Sequence, residues 1–185
     1  MAVTRTRSVL FFTAVAAALL AVSAGATVLV SVEEALSLAF PGATTERETL
    51  FLTDDQMQEA SELISAELGS ALVTRYVATD AGGAVVGHAY LDTHLVRTLP
   101  ETLMIVVSPD GTVGRVEVVV FREPVEYMPR EGWYHQYKGE ELDDDLSLNR
   151  GIRPVTGATL TARATTEAVR RVLAIHQVVT AGSAP

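Results

Sequence analysis

The sequence predicts an α+β fold: a mainly antiparallel sheet flanked by helices, one domain behind an N-terminal signal or anchor helix. Three observations predict it. Between residues 72 and 121, alternating or apolar runs are separated by turn signals, the pattern of consecutive antiparallel strands. Near the C-terminus, Ala164, Ala168, Val169, Val172, Leu173 and Ile175 recur close to a 3.6-residue period, the pattern of an amphipathic helix. Finally, no internal repeat and no linker divides the 185 residues, a length that suits one domain with a short appendage.

The elements follow in order. Arg5 and Arg7 form a short basic region, and residues 9–32 behind it carry no charge. Small residues at Ala24 and Ala26 fit a signal-peptidase site, so residues 1–31 read as a cleaved signal. They read equally as an uncleaved anchor, because about 20 apolar residues span hydrocarbon and the two arginines hold the N-terminus in the cytoplasm. Either way the domain of residues 32–185 lies outside the cytoplasm. Residues 32–40 show a helical stripe at Leu36 and Phe40, stopped by Pro41-Gly42. Residues 48–53 alternate as a short strand. Thr53 caps a helix through residue 68, with Asp54 and Asp55 where the helix dipole favours acids and Gly69 at its end.

The strand region that follows is read as three consecutive antiparallel strands, drawn from the runs 72–78, 85–92, 103–107 and 113–121. Asp80-Ala81-Gly82-Gly83 and Ser108-Pro109-Asp110-Gly111 are its turns, proline presetting φ and glycine accepting positive φ. Residues 122–139 mix aromatics with charges, residues 140–145 form an acidic loop, and residues 162–177 form the last helix.

Composition excludes several functions. The chain carries 23 acids and 14 bases, a charge of −9, with no basic stripe to attract phosphate backbones, so sequence-independent nucleic-acid binding is excluded. The absence of cysteine excludes disulfides, iron–sulfur clusters, thioether-linked haem and thiol catalysis. Electrons, if carried, must sit on something else. His88 and His94 lie about 20 Å apart on an extended chain, too far to share a metal. His135 and His176 have no partner at ligand spacing. The acidic run lacks the alternation of a calcium loop, and no G-x-S-x-G elbow supports a hydrolase.

The segment with most chemistry is Thr156-Gly157-Ala158-Thr159-Leu160-Thr161, ahead of the last helix. A tight loop with three hydroxyls at a helix N-terminus suits an anion, because unpaired N–H groups and the dipole converge there. The residues alone equally allow ordinary capping with Thr161 as N-cap, which is the commoner arrangement.

This segment resembles the flavin-attachment signature of the FMN-binding domain family, Ser/Thr-Gly-Ala-Thr followed by Ser/Thr. The family includes the G subunit of Rnf electron-transport complexes and the C subunit of the sodium-translocating NADH:quinone reductase. Asp110-Gly111 with the strand after it, Glu123-Pro124, and Trp133-Tyr134-His135-Gln136-Tyr137-Lys138-Gly139 are similar to further family segments in the same order, over residues 85–177. The resemblance implies an FMN phosphoester on Thr159, framed by Thr156, Gly157, Ala158, Leu160 and Thr161, with Glu123 and Pro124 on the opposite wall. It implies a flavin transferase and membrane-bound redox partners, and an electron carrier rather than a turnover enzyme. Arg153 stands where the family usually has an acid, six positions before the acceptor, and its fork suits a phosphate held non-covalently. Tyr127, Trp133 and Tyr137 are candidates to stack on the flavin, or core residues. The alternatives are a flavin-free or loosely flavin-bound interaction or sensory module at the membrane surface, and a true flavin reductase or oxidase.

Overall fold

A computed structural model describes residues 27–182. The segment expected to be a signal or anchor lies outside the described residues up to position 26. Thr27–Val28 forms the short strand β1, and Ser31 caps α1 (Val32–Ala39) by accepting the N–H of Glu34 at 3.1 Å. Among the described residues, no helix is long and apolar enough to cross a membrane.

The remaining elements are β2 (Thr44–Phe51), α2 (Asp54–Ile64), β3 (Leu72–Thr79), β4 (Val85–Leu95), β5 (Pro100–Val107), β6 (Val113–Phe121), α3 (Glu131–Tyr134) and α4 (Thr159–Ala181). The sheet order is β1-β6-β5-β4-β3-β2, and every pair is antiparallel. From β2 to β6 the strands are a meander interrupted by α2, and β1 adds a two-residue pair at the β6 edge. The α+β expectation holds, with more strands than expected. β2 starts earlier than residue 48 and is an edge strand, mostly exposed and rich in Thr and Glu, so its hydrophobic signal is weak. β4 continues to Leu95 and β5 begins at Pro100, because the charged residues that resemble a loop there are paired beneath α4.

β5 is buried on both faces, as its alternation dictates. Leu103, Ile105 and Val107 join Val169, Val172 and Leu173 of α4, while Met104 and Val106 join Ala35, Leu36 and Phe40 of α1. The molecule therefore has three layers, α1, sheet, and α2 with α4. Gly87 permits the close approach of α1. A Cβ there would stand 2.8 Å from Cε1 of Phe40 and 3.1 Å from the carbonyl of Val107.

Thr53 caps α2 as expected, in a reciprocal box with Gln56 at 3.0 and 3.2 Å. That helix stops at Ile64 rather than residue 68. Ser65 turns left-handed at φ 54, and the Ser61 hydroxyl accepts the N–H of Leu68, so the chain leaves the helix a turn early.

α4 is held on the sheet by small residues and a polar seam. Ala162, Ala168 and Ala174 have no exposure and let the backbone come close. Arg171 grips Asp92 with two bonds of 2.8 Å. His94 bridges Asp92 at 2.7 Å and Glu101 at 3.2 Å, and the Thr165 hydroxyl donates to Glu101 at 3.4 Å. Burial raises the pKa of the wholly enclosed Glu101, one of whose oxygens is unpaired. Burial alone would lower the His94 pKa, but bonds to Asp92 and Glu101 outweigh it and hold it at about 9.

A pKa raised above the unfolded value of 6.5 stabilises the fold fully below pH 6.5, and that contribution drains away as pH rises to about 9. The melting temperature of the wild type is expected to fall across this window, reflecting a loss on the order of 3 kcal/mol. His94→Gln, which has nothing to titrate there, is expected to start lower and stay flat. Thermal denaturation followed by circular dichroism at half-unit pH steps checks this.

Candidate functional site: the turn that opens α4

The approach to α4 is pinned at both backbone groups of Arg153. Its N–H donates to Oε1 of Gln136 at 2.8 Å, and its carbonyl accepts from Nε1 of Trp133 at 2.7 Å. The chain then reverses at Gly157, whose φ of +85° suits glycine and strains other residues. Ala158 is the N-cap, with φ −124° and ψ 30°, and it has no side chain able to cap. The first helical N–H groups, those of Thr159, Leu160 and Thr161, have no acceptors within a helix, and here no capping oxygen reaches them.

The predicted site residues divide clearly. Thr156, Gly157, Thr159 and Leu160 are exposed, and the Thr159 hydroxyl donates to the carbonyl of Val155 at 3.1 Å. Ala158 is buried. Thr161 is buried too, and it is not the N-cap. The helix begins two residues before it, and its hydroxyl donates to the carbonyl of Tyr127 at 2.6 Å. A tertiary contact has claimed the group that capping would have used.

Glu123 and Pro124 act on neighbouring loops. The Glu123 carboxylate is almost fully enclosed and accepts the backbone N–H groups of Arg97, Thr98 and Leu99 at 3.3, 2.8 and 2.9 Å. The N–H bond from Thr98 leads those that hold its pKa below the ordinary carboxylate value. Pro124 opens a single 3-10 turn, Val125–Tyr127, that delivers the Tyr127 carbonyl to Thr161.

Of the three candidate stacking rings, Tyr137 is unavailable. It has no exposure and donates its hydroxyl to Thr166 of α4 at 2.7 Å. Trp133 packs edge-on against Tyr134 and Tyr137, at 5.1 and 5.4 Å between centroids, and spends its N–H on Arg153. Tyr127 is half-buried, with the guanidinium of Arg97 5.3 Å from its ring centre. A groove of about 520 Å³ lies at the β6 edge, lined by Leu29, Val116, Val118, Met128 and Tyr134 among others. No residue from 156 to 161 lines it, and Thr156, Gly157, Thr159 and Leu160 are exposed to solvent.

Two of the histidines, His94 and His176, are held by polar contacts in the core. His176 is buried against Tyr90, with Nδ1 2.9 Å from the phenol oxygen, and burial lowers its pKa to about 4. Among the described residues, no group of three or more His, Asp or Glu is placed to hold a metal. Sequence reasoning missed the Asp92, His94, Glu101 and Arg171 seam. The one available signal was that Asp92 and His94 share a strand face with Tyr90.

This geometry offers an uncapped helix N-terminus, an exposed hydroxyl and a neighbouring aromatic with a cation, features that suit a phosphate-bearing cofactor. Residues 99–174 match the family model of the FMN-binding domain. The stretch from β5 through most of α4 is thus similar to an FMN-binding domain, and the match supports FMN as its cofactor. No curated protein and no solved structure matches the chain.

Thr161→Val removes the hydroxyl without changing the volume and strands the Tyr127 carbonyl. Urea unfolding is expected to show a loss of about 1–3 kcal/mol, with Thr161→Ser close to wild type.

Proposed function

We infer that this protein is an electron-transfer flavoprotein domain that works outside the cytoplasm, with FMN carried on the α4 turn by a phosphoester to Thr159. The observation that carries the reading is the exposed Thr159 hydroxyl in the first turn of a helix that no side chain caps. Bound there, FMN supplies reversible one- and two-electron chemistry. The protein's part is to hold and orient. A phosphodiester keeps about one negative charge, which the first-turn N–H groups and the helix dipole stabilise by roughly 0.3–1 kcal/mol at an exposed site. Esterification forms an O–P bond at Thr159 as a P–O bond of an activated flavin-phosphate donor breaks, and the leaving group takes up the Thr159 proton. The lost bond to Val155 is offset by contacts to the helix amides. Exposure of residues 156–160, apart from Ala158, leaves the acceptor within reach of a flavin transferase. Gly157 fixes the reversal, and Trp133 with Gln136 keeps the segment before it from shifting.

The location rests on Arg5, Arg7 and the charge-free run behind them. It makes membrane-bound redox proteins the natural donors and acceptors. A second reading, a module that binds flavin loosely and serves interaction or sensing at the membrane surface, is favoured by Arg153. Its exposed side chain stands where the resemblance expects an acid.

Co-expression with a flavin transferase, followed by denaturing electrophoresis, separates the two. A fluorescent band present in the wild type and lost in Thr159→Ala is the expected result. No band in either protein, with FMN still bound under native conditions, supports the loose-binding reading.

A further inference from the structure

The helices cover the two faces of the sheet unequally. α2 and α4 occupy one. On the other, α1 is eight residues long and packs on Ala78, Ala89, Met104 and Val106. At the end of the sheet where β1 pairs, that second face is open, and register places one row of side chains across it. Val28 stands opposite Val120, Val120 opposite Thr102, and Thr102 opposite Thr93. Continuing the β3–β4 register from Thr74 and Leu91 puts Leu72 opposite Thr93, and Phe51 stands opposite Leu72. The row crosses all six strands, about 24 Å at ordinary strand spacing, with Leu95 beside it on the same face.

The solvated face of an antiparallel sheet is normally polar. This row holds no charge, in a chain with nine more acids than bases. Its two polar members are bonded to each other, the Thr93 and Thr102 hydroxyl oxygens lying 2.9 Å apart. Four apolar side chains here are more than half exposed, Phe51 at 76%, Val28 and Leu95 at 65% and Leu72 at 54%. Apolar surface gathered in this way marks a contact with protein or lipid. Where the chain enters decides between them. β1 supplies Val28 to the row and follows the charge-free run that starts at Val9. A span of about 20 residues counted from Val9 ends at β1 itself, so an anchor leaves no spacer between bilayer and sheet. The open face at the β1 end is then held at the interface, and a face without acids is the one that an anionic leaflet repels least. We propose that this face, from Val28 across to Phe51, rests on the lipid surface, with Phe51, Leu72 and Leu95 among the headgroups. The proposal rests on the anchor reading of residues 1–31 and goes beyond it by fixing how the domain is turned. α4 packs on the opposite face, so its first turn stays clear of the lipid and open to a partner protein.

The chain has no cysteine, so a single substitution carries a nitroxide label without background. The full chain, N-terminal segment included, is reconstituted in vesicles of equal parts phosphatidylcholine and phosphatidylglycerol after labelling of Phe51→Cys, Leu72→Cys, Leu63→Cys or Val85→Cys. Leu63 on α2 and Val85 at the far end of the sheet are exposed controls. Oxygen concentrates in hydrocarbon, whereas a nickel chelate stays in water. Positions 51 and 72 are expected to be relaxed by oxygen and to lose relaxation by nickel, and positions 63 and 85 to show the reverse. Adding Phe51→Glu, a change at a side chain mostly in solvent, is expected to return the label at position 72 to nickel while the chain still floats with the vesicles. If the chain floats but all four labels meet nickel alike, the docking face is overturned while the anchor stands. Labels at 51 and 72 shielded from both reagents, in a chain of doubled mass, assign the face to a second copy and overturn the proposal too. If the full chain does not float with vesicles, the anchor reading falls and the docking with it.

Discussion

How α4 seats on the sheet decides where its first turn lies. The helix packs through alanines and valines that would tolerate a slide along its axis, because apolar contacts are not directional. The seam made by Arg171, Asp92, His94, Glu101 and Thr165 does not tolerate one. Buried ion pairs add little net stability, but separating one leaves an uncompensated charge that costs about 3–5 kcal/mol. A shift of α4 by one turn would separate Arg171 from Asp92 and Thr165 from Glu101 together. The register of α4 is therefore set near its middle, and the position of Thr159 two to three turns away follows from it. Thr161 completes the arrangement by tying the first turn to Tyr127.

Local features were legible in the sequence because their causes are local. The Asp110-Gly111 turn reads from composition, since Asp110 accepts the N–H of Thr112 at 3.1 Å and Gly111 adopts φ +86°. The capping box at Thr53 reads for the same reason. What escaped detection depends on partners distant in the chain. His94 and Glu101 resemble loop residues, and Asp92 the end of a strand, until Arg171, 79 positions after Asp92, arrives to neutralise it. Tyr137 resembles a surface aromatic until Thr166, 29 positions on, accepts its hydroxyl. Thr161 satisfies every local criterion of an N-cap, yet a carbonyl 34 positions back claims it. Polar groups that find distant partners become core, and nothing in their immediate sequence announces it.

The candidate site was legible as a motif but not as a shape. Residues 156–161 were singled out as a reversal before a helix starting at 162; residues 156–158 make the reversal, with Gly157 at the point that requires positive φ, and 159–161 are already the first turn of α4. Glu123 was visible as part of a recurring segment, while its function as an acceptor for three amides could be seen only with the β4–β5 loop in place.

The separation of the turn from the groove at the β6 edge bears on how a flavin is kept. Cofactor pockets usually enclose most of their ligand, and much of the affinity comes from that burial. The α4 turn is open, so a flavin there gains little from apolar enclosure and depends on its phosphate. Contacts to helix amides are weakened by solvent and salt at such a site. A covalent bond removes that weakness by replacing an equilibrium with a tether, which holds the ring at high effective concentration near whatever surface it meets. Exposure then becomes useful, since a partner protein can approach a flavin that no lid covers. The features that make the turn a poor reversible binding site are those that suit an attached electron carrier.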